Sequence, residues 1–203
     1  RVRAEQISRF LIDVFENSDP EQTQGADLSL RRVLDNGALQ LRTATDLDAV
    51  VRAQLMQTVA KVYQRLGLLD PAADLQRQVL ALRETQLSPD LVGRAQALTD
   101  LAIIQREQGL LADAEASQRA ALALYLESGS SRSAEQARAR LLLALVLRGR
   151  GELAAARTEL LQALAIYDQR AQPADAAARA AVSNALAGVH QDAGDLQEAL
   201  QRY

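Results

Sequence analysis

YQRLGLLDPAADL (63–75), QREQGLLADAEAS (105–117), LRGRGELAAARTE (147–159) and HQDAGDLQEALQR (190–202) are four versions of one stretch, aligned on Gly67, Gly109, Gly151 and Gly194. The glycines lie 42, 42 and 43 residues apart. Seven positions before each stands an alanine (Ala60, Ala102, Ala144, Ala187), itself preceded by Val59, Leu101, Leu143 or Leu186. Five positions after each glycine comes another alanine: Ala72, Ala114, Ala156 and Ala199. Twelve positions after it the three longer copies carry Val79, Ala121 and Ala163, followed directly by Leu80, Leu122 and Leu164. Self-similarity at a fixed period marks a repeat architecture, in which each copy buries its apolar face against its neighbours.

Each copy reads as a helix A, a tight turn at the glycine, and a helix B lying antiparallel against A. Glycine at the end of helix A takes a positive φ at no steric cost. Small residues at matching positions let the two backbones approach, and the leucines beside them fill the space toward the next hairpin. The A helices are predicted near 46–66, 89–108, 133–149 and 174–193. The B helices are predicted near 71–84, 112–127 and 153–169, and from 196 onward. Ser88-Pro89 and Asp70-Pro71 each pair an N-cap with a proline at the first helical position. Thr45–Asp48 and Ser133–Gln136 carry the capping-box pattern or its Asp variant, and Pro173 precedes the fourth copy.

This pattern resembles the tetratricopeptide (TPR) family, whose usual signature has small residues at the eighth, twentieth and twenty-seventh repeat positions. Here those places hold Ala60/Ala72/Val79, Ala102/Ala114/Ala121, Ala144/Ala156/Ala163 and Ala187/Ala199. The usual repeat is about 34 residues, so this chain looks like the longer variant found in kinesin light chains. Tyr63 keeps the family's helix A aromatic and Tyr203 the helix B one, while Gln105, Leu147 and His190 replace the former elsewhere. The resemblance implies an all-α, right-handed superhelical solenoid of antiparallel hairpins. Its copies span roughly 46–88, 89–131, 132–172 and a truncated 173–203.

Residues 1–45 do not fit the repeat. Ile7, Phe10, Leu11, Val14 and Phe15 make one apolar stripe at helical spacing, and Leu30, Val33, Leu34, Ala38 and Leu39 make a second. The expectation is an N-terminal helical cap over the first repeat, whose apolar face would otherwise meet water. The text ISRFLIDVFENSDPEQTQGADLSLRRVLDNGA (7–38) resembles the segment between membrane span and TPR array in bacterial Hanks-type serine/threonine protein kinases. That resemblance implies the C-terminal, extracytoplasmic part of such a kinase, on the periplasmic side of the inner membrane. The Gly-rich loop, HRD and DFG motifs of the kinase domain are absent from this chain. The chain opens on Arg1 rather than Met and stops on Tyr203 inside a helical pattern, so it reads as a piece of a longer protein.

Composition agrees with helix and sets bounds on function. Of 203 residues 48% are hydrophobic, 24% charged and only 3% aromatic, so the core must come from Leu, Ala, Val and Ile. A net charge of −3 exerts no general pull on nucleic acid or anionic lipid. Lys61 is the sole lysine, and the Arg-rich balance suits a GC-rich bacterial genome. Without cysteine there is no disulfide, thiol nucleophile or thiolate metal site, which suits a periplasmic domain. No run approaches the ~18 apolar residues of a membrane span.

No residue pattern asks for a catalytic, metal or cofactor role. His190, the one histidine, has neither Cys nor second His to partner it, and its repeat position is a packing position. Asp46/Asp48 and Asp113/Glu115 sit at helix starts, where they complement the helix dipole. The site expected is geometric. In a solenoid of hairpins the A helices line the concave groove, and their open face recurs every helical turn. That face holds Gln57, Lys61 and Gln64 in the first copy, and Gln96, Thr99, Ile103 and Arg106 in the second. It continues with Arg138, Leu141, Leu145 and Arg148 in the third, and Asn184 and Gln191 in the fourth.

Ile103, Leu141 and Leu145 either make an apolar floor bordered by Arg106, Arg138 and Arg148, or pack between helices. The first arrangement would take a protein or peptide with apolar anchors and a few carboxylates. Thr58, Asp100 and Leu142 occupy the sixth repeat position, where the carboxylate-clamp TPR subgroup places Asn or a basic residue, so that clamp is not expected. Three functional readings follow. The chain is the sensory module of a membrane kinase, a TPR domain of a cytoplasmic signalling or transcription-regulatory protein, or an enzyme using His190. Self-association is also expected, through an apolar end around Leu186, Leu196 and Leu200.

Overall fold

A computed structural model describes residues 26–44, 47–85, 90–129 and 133–194. Every regular element among them is helical: α1 (Ala26–Thr43), α2 (Ala49–Arg65), α3 (Leu69–Glu84), α4 (Leu91–Glu107), α5 (Leu111–Glu127), α6 (Ala134–Gly149), α7 (Leu153–Arg170) and α8 (Ala176–Asp192). A short 3₁₀ turn, Pro173–Asp175, leads into α8. The chain divides into two compact units, Arg1–Asp90 and Leu91–Tyr203. In the first, α2 and α3 form a hairpin and α1 packs on α2. In the second, α4/α5 and α6/α7 are hairpins, α6 packs on α5, α8 packs on α7, and α6 also touches α4 and α8.

One turn design makes the hairpins. Gly67, Gly109, Gly151 and Gly194 have φ of 73, 79, 80 and 82°. The glycine N–H bonds back to Gln64, Arg106 and Arg148 at 2.9–3.0 Å, and the next residue's N–H reaches Tyr63, Gln105 and Leu147 at 2.8–2.9 Å. These are the paired bonds of a Schellman cap. The residue closing it, Leu68, Leu110 or Glu152, is also the N-cap of helix B, with ψ of 70, 64 and 61°. That is inverse γ-turn geometry, closed in the later two copies by a bond from Leu111 to Gly109 and from Leu153 to Gly151. Only three residues therefore separate the end of helix A from the start of helix B.

Helix starts agree with the expectation in part. Ser133 caps α6, its hydroxyl accepting from the Gln136 N–H at 3.1 Å. The cap of α2 is Asp48 rather than Thr45, since the Asp48 carboxylate accepts from the N–H groups of Val50 and Val51. Asp70 caps nothing. The γ-turn at Leu68 starts α3 at Leu69, and Pro71 falls within the first turn, where its missing N–H has no intrahelical partner to lose. Thr45, Asp46 and Ser88-Pro89 lie outside the described residues, as do Ile7, Phe10, Leu11, Val14 and Phe15.

Small residues sit at the contacts as the repeat requires. Ala60, Ala72, Val79, Ala102, Ala114, Ala121, Ala144, Ala156, Ala163 and Ala187 are all at most 1% exposed. The eleventh repeat position is buried whatever occupies it: Tyr63, Gln105, Leu147 and His190. A second layer was not anticipated from the sequence. Arg83, Tyr125 and Tyr167 stand at matching places near the ends of the B helices, all buried. In α1 the buried side is Ala38 and Leu41, with Val33 and Leu34 half-buried, whereas Leu39 is 59% exposed. A helix carries its stripe from 34 to 38 to 41, and residue 39 turns about 100° away from 38.

Candidate peptide-binding groove

The thirteen groove residues expected from the repeat phase divide between the two units. In the first, Lys61 is exposed and Gln57 and Gln64 are half-buried. Gln57 Oε1 accepts a 2.9 Å bond from Arg83 Nη2, and Arg83 also pairs with Asp90. Arg83 stands where later copies have tyrosine, and this buried cation is met by a carboxylate and an amide oxygen, as burial demands. A cavity of about 330 Å³ in this unit lies elsewhere, among Leu41, Arg42, Arg52, Met56, Gln78, Ala81, Leu82 and Thr85. None of the expected groove residues lines it.

In the second unit Gln96, Arg138, Asn184 and Gln191 are exposed, and Ile103, Arg106, Leu141, Leu145 and Arg148 are half-buried. Thr99 departs from the expectation: it is 7% exposed, and lies beside the buried Tyr125. Ile103, Leu141 and Leu145 are neither open nor inside the core. Leu141 packs against the main core cluster of this unit. A narrow crevice between α4 and α6 brings Ala102, Ile103 and Arg106 together with Gln118, Leu142 and Val146. The side of α6 turned toward α4 is thus the Leu142/Val146 row, one residue along from the Leu141/Leu145 row. Their spacing of four was the available signal.

Gln118, wholly buried, donates from Nε2 to the Ala139 carbonyl at 3.1 Å and so pins α5 to α6. Arg140 and Glu159 pair at 2.5 Å across the α6/α7 hairpin. Arg150 bridges Glu115 at 2.7 Å and Glu152 at 2.9 Å, linking the α6–α7 turn to α5. Arg148 meets Asp192 of α8 at 2.5 Å, and this hydrogen bond holds the Asp192 carboxyl below its ordinary range. Burial, first of all, raises the phenols of Tyr63, Tyr125 and Tyr167 above theirs.

His190 is 1% exposed in the packing layer, which gives it no access to a substrate. Among the described residues no group of three His, Asp or Glu side chains is placed to hold a metal ion. No described helix is long and apolar enough to cross a membrane. Leu186, expected at an open C-terminal face, is wholly buried in the core of its unit, because α6 and α7 already cover it. Leu196 and Leu200 lie outside the described residues.

Known structures share this fold over long stretches. BtubC (BKLC) from P. vanneervenii is 20% identical with a TM-score of 0.75, the match covering all of this chain and 81% of that one. The kinesin light chain nearly identical TPR-like repeats of Podosopora anserina are 20% identical with a TM-score of 0.71, covering 98% of this chain and 92% of that one. The Rap conjugation gene regulator of plasmid pLS20, in complex with the Phr* peptide, is 17% identical with a TM-score of 0.65, covering 86% of this chain and 46% of that one. At such identities the likeness shows the fold alone, an all-α TPR-like solenoid. No curated protein matches the sequence. The family model for the tetratricopeptide repeat matches residues 51–127 and 93–169. Such repeats are protein-interaction modules rather than enzymes, and this chain belongs to the tetratricopeptide repeat family.

Proposed function

We propose that the chain binds a peptide or an extended protein segment along the open face of its A helices, as the sensory, C-terminal part of a bacterial membrane serine/threonine protein kinase. The observation that supports the binding reading is that Ile103, Leu141 and Leu145 are each left half-buried on the A helices, with Arg106 and Arg148 half-buried and Arg138 exposed on the same helices. Aliphatic groups left partly in water beside guanidinium groups suit a ligand with apolar anchors and carboxylates. The kinase parent rests on the linker-like text of residues 7–38, and the periplasmic location rests on that parent. The coding sequence upstream of Arg1 tests both. It should specify an apolar span close by, preceded by HRD and DFG motifs; a soluble non-kinase domain there removes the kinase reading and leaves the binding one.

A second reading places the same groove in a cytoplasmic signalling or transcription-regulatory protein. The likeness to a Rap conjugation gene regulator holding a peptide favours it. An upstream helix-turn-helix domain would decide for it. Self-association through the C-terminal end belongs to the proposal as well, now resting on Leu196 and Leu200 alone. A monomer mass by light scattering in concentrated solution removes it.

A further inference from the structure

Arg106 and Arg148 hold the same place in successive copies, three residues before Gly109 and Gly151. Their surroundings differ. The Arg148 guanidinium takes the Asp192 carboxylate side-on, Nε to Oδ2 at 2.5 Å and Nη2 to Oδ1 at 3.1 Å. This two-point fork is the strong form of the pair. Gly188 makes room for it, since a Cβ there would stand 2.5 Å from Arg148 Nη1. Asp192 lies two residues before Gly194, and the matching place one copy earlier is Gly149. The A helix of the next copy, α6, therefore has no carboxylate to offer at that place. Among the described residues no carboxylate pairs with Arg106. It is half-buried, beside Ile103, Leu142 and Val146. A guanidinium partly withdrawn from water gains by taking an anion.

We propose that Arg106 is the carboxylate anchor of the groove. It takes the side chain of an acidic residue in a bound peptide, much as Arg148 takes Asp192, and an aliphatic neighbour of that residue lies against Ile103. The fold answers one of its twin arginines internally and leaves the other to a ligand. This assignment rests on the groove reading above.

A random peptide library displayed on phage, selected against the whole 203-residue chain, tests it. The unaltered chain should enrich peptides with Asp or Glu next to an aliphatic residue. Arg106→Gln should return the acidic frequency to that of the starting library, and weaken the best acidic peptide about tenfold or more, the cost of one charge-assisted contact. Gly149→Asp should have the same effect by supplying the carboxylate from within. Its Cβ would meet only Leu111, at 3.5 and 3.7 Å, so the variant folds, which circular dichroism checks. An acidic preference surviving both substitutions overturns the assignment. So do enriched peptides without acidic preference, although these leave the groove reading standing. Failure of the unaltered chain to enrich any peptide removes the groove reading and the assignment with it.

Discussion

Tyr63 Oη donates a 2.6 Å hydrogen bond to Asp35 Oδ1, joining the first A helix to the helix before it. The phenol ring is 2% exposed, while Asp35 is half in water and also near Arg31 at 3.8 Å. Tyr63→Phe keeps the ring and removes the donor. It should cost about 1 kcal/mol, the net worth of one intramolecular bond. Urea unfolding of the variant checks it; an unchanged midpoint would mean that water serves Asp35 as well.

The same burial has a consequence at high pH. The phenols of Tyr63, Tyr125 and Tyr167 are raised, by desolvation first, and for Tyr63 by the Asp35 bond and charge as well. An unfolded tyrosine ionises near 10. A folded value above the unfolded one means stability fully present below about pH 10 and lost as the pH climbs through the folded values. Tyrosinate absorbance of the native chain should therefore lag behind that of the chain in guanidinium. Superimposable titration curves would contradict the buried placement.

Two glycines near helix ends should respond with opposite sign. Gly109 has φ of 79°, where an alanine is strained whatever the space, so Gly109→Ala should destabilise by about 1 kcal/mol. Gly149 closes α6 in helical geometry, and an added Cβ would make ordinary contact with Leu111. Gly149→Ala should stabilise by about 0.5 kcal/mol. Thermal melts of both, with melting points shifting in opposite directions, confirm the phase of the turn.

Gly188 is the third informative glycine. Its substitution by Ala puts a methyl group against the Arg148 guanidinium, which is flexible and moves aside. The loss is the fork with Asp192, a partly exposed pair. A double-mutant cycle of Arg148→Gln and Asp192→Asn, run in the parent chain and again in Gly188→Ala, measures it. The coupling should be present in the parent and absent once the added methyl group occupies the place of the guanidinium.

The alanine row at Ala114 and Ala156 is wholly buried where helix meets helix. Ala156→Leu adds volume where none is free, and should cost about 1–3 kcal/mol. Chemical denaturation measures the loss. A variant as stable as the parent would show that α6 and α7 are less closely packed than their repeat pattern requires.

Much of this molecule was legible from residue order. Glycines in phase located the three described A–B turns, at Gly67, Gly109 and Gly151, because only a residue without Cβ enters the left-handed region freely. Small residues at three recurring places located the helix contacts, because close backbone approach tolerates nothing larger. Local rules were less reliable where two signals competed. Asp70-Pro71 has the form of a helix start, yet the turn begun at Gly67 placed it inside the helix.

The open face resisted sequence reading for a different reason. Periodicity says which residues share a side of one helix, but not how far its neighbours are rotated against it. The repeat pattern of this chain determined the hairpins, their turns and the family. Only tertiary packing decided that Thr99 is buried, that Leu142 and Val146 rather than Leu141 and Leu145 face Ile103, and that Arg148 is answered by Asp192 while Arg106 is not. Those outcomes depend on side chains from different copies meeting across helices, a relation that spacing along one chain does not encode.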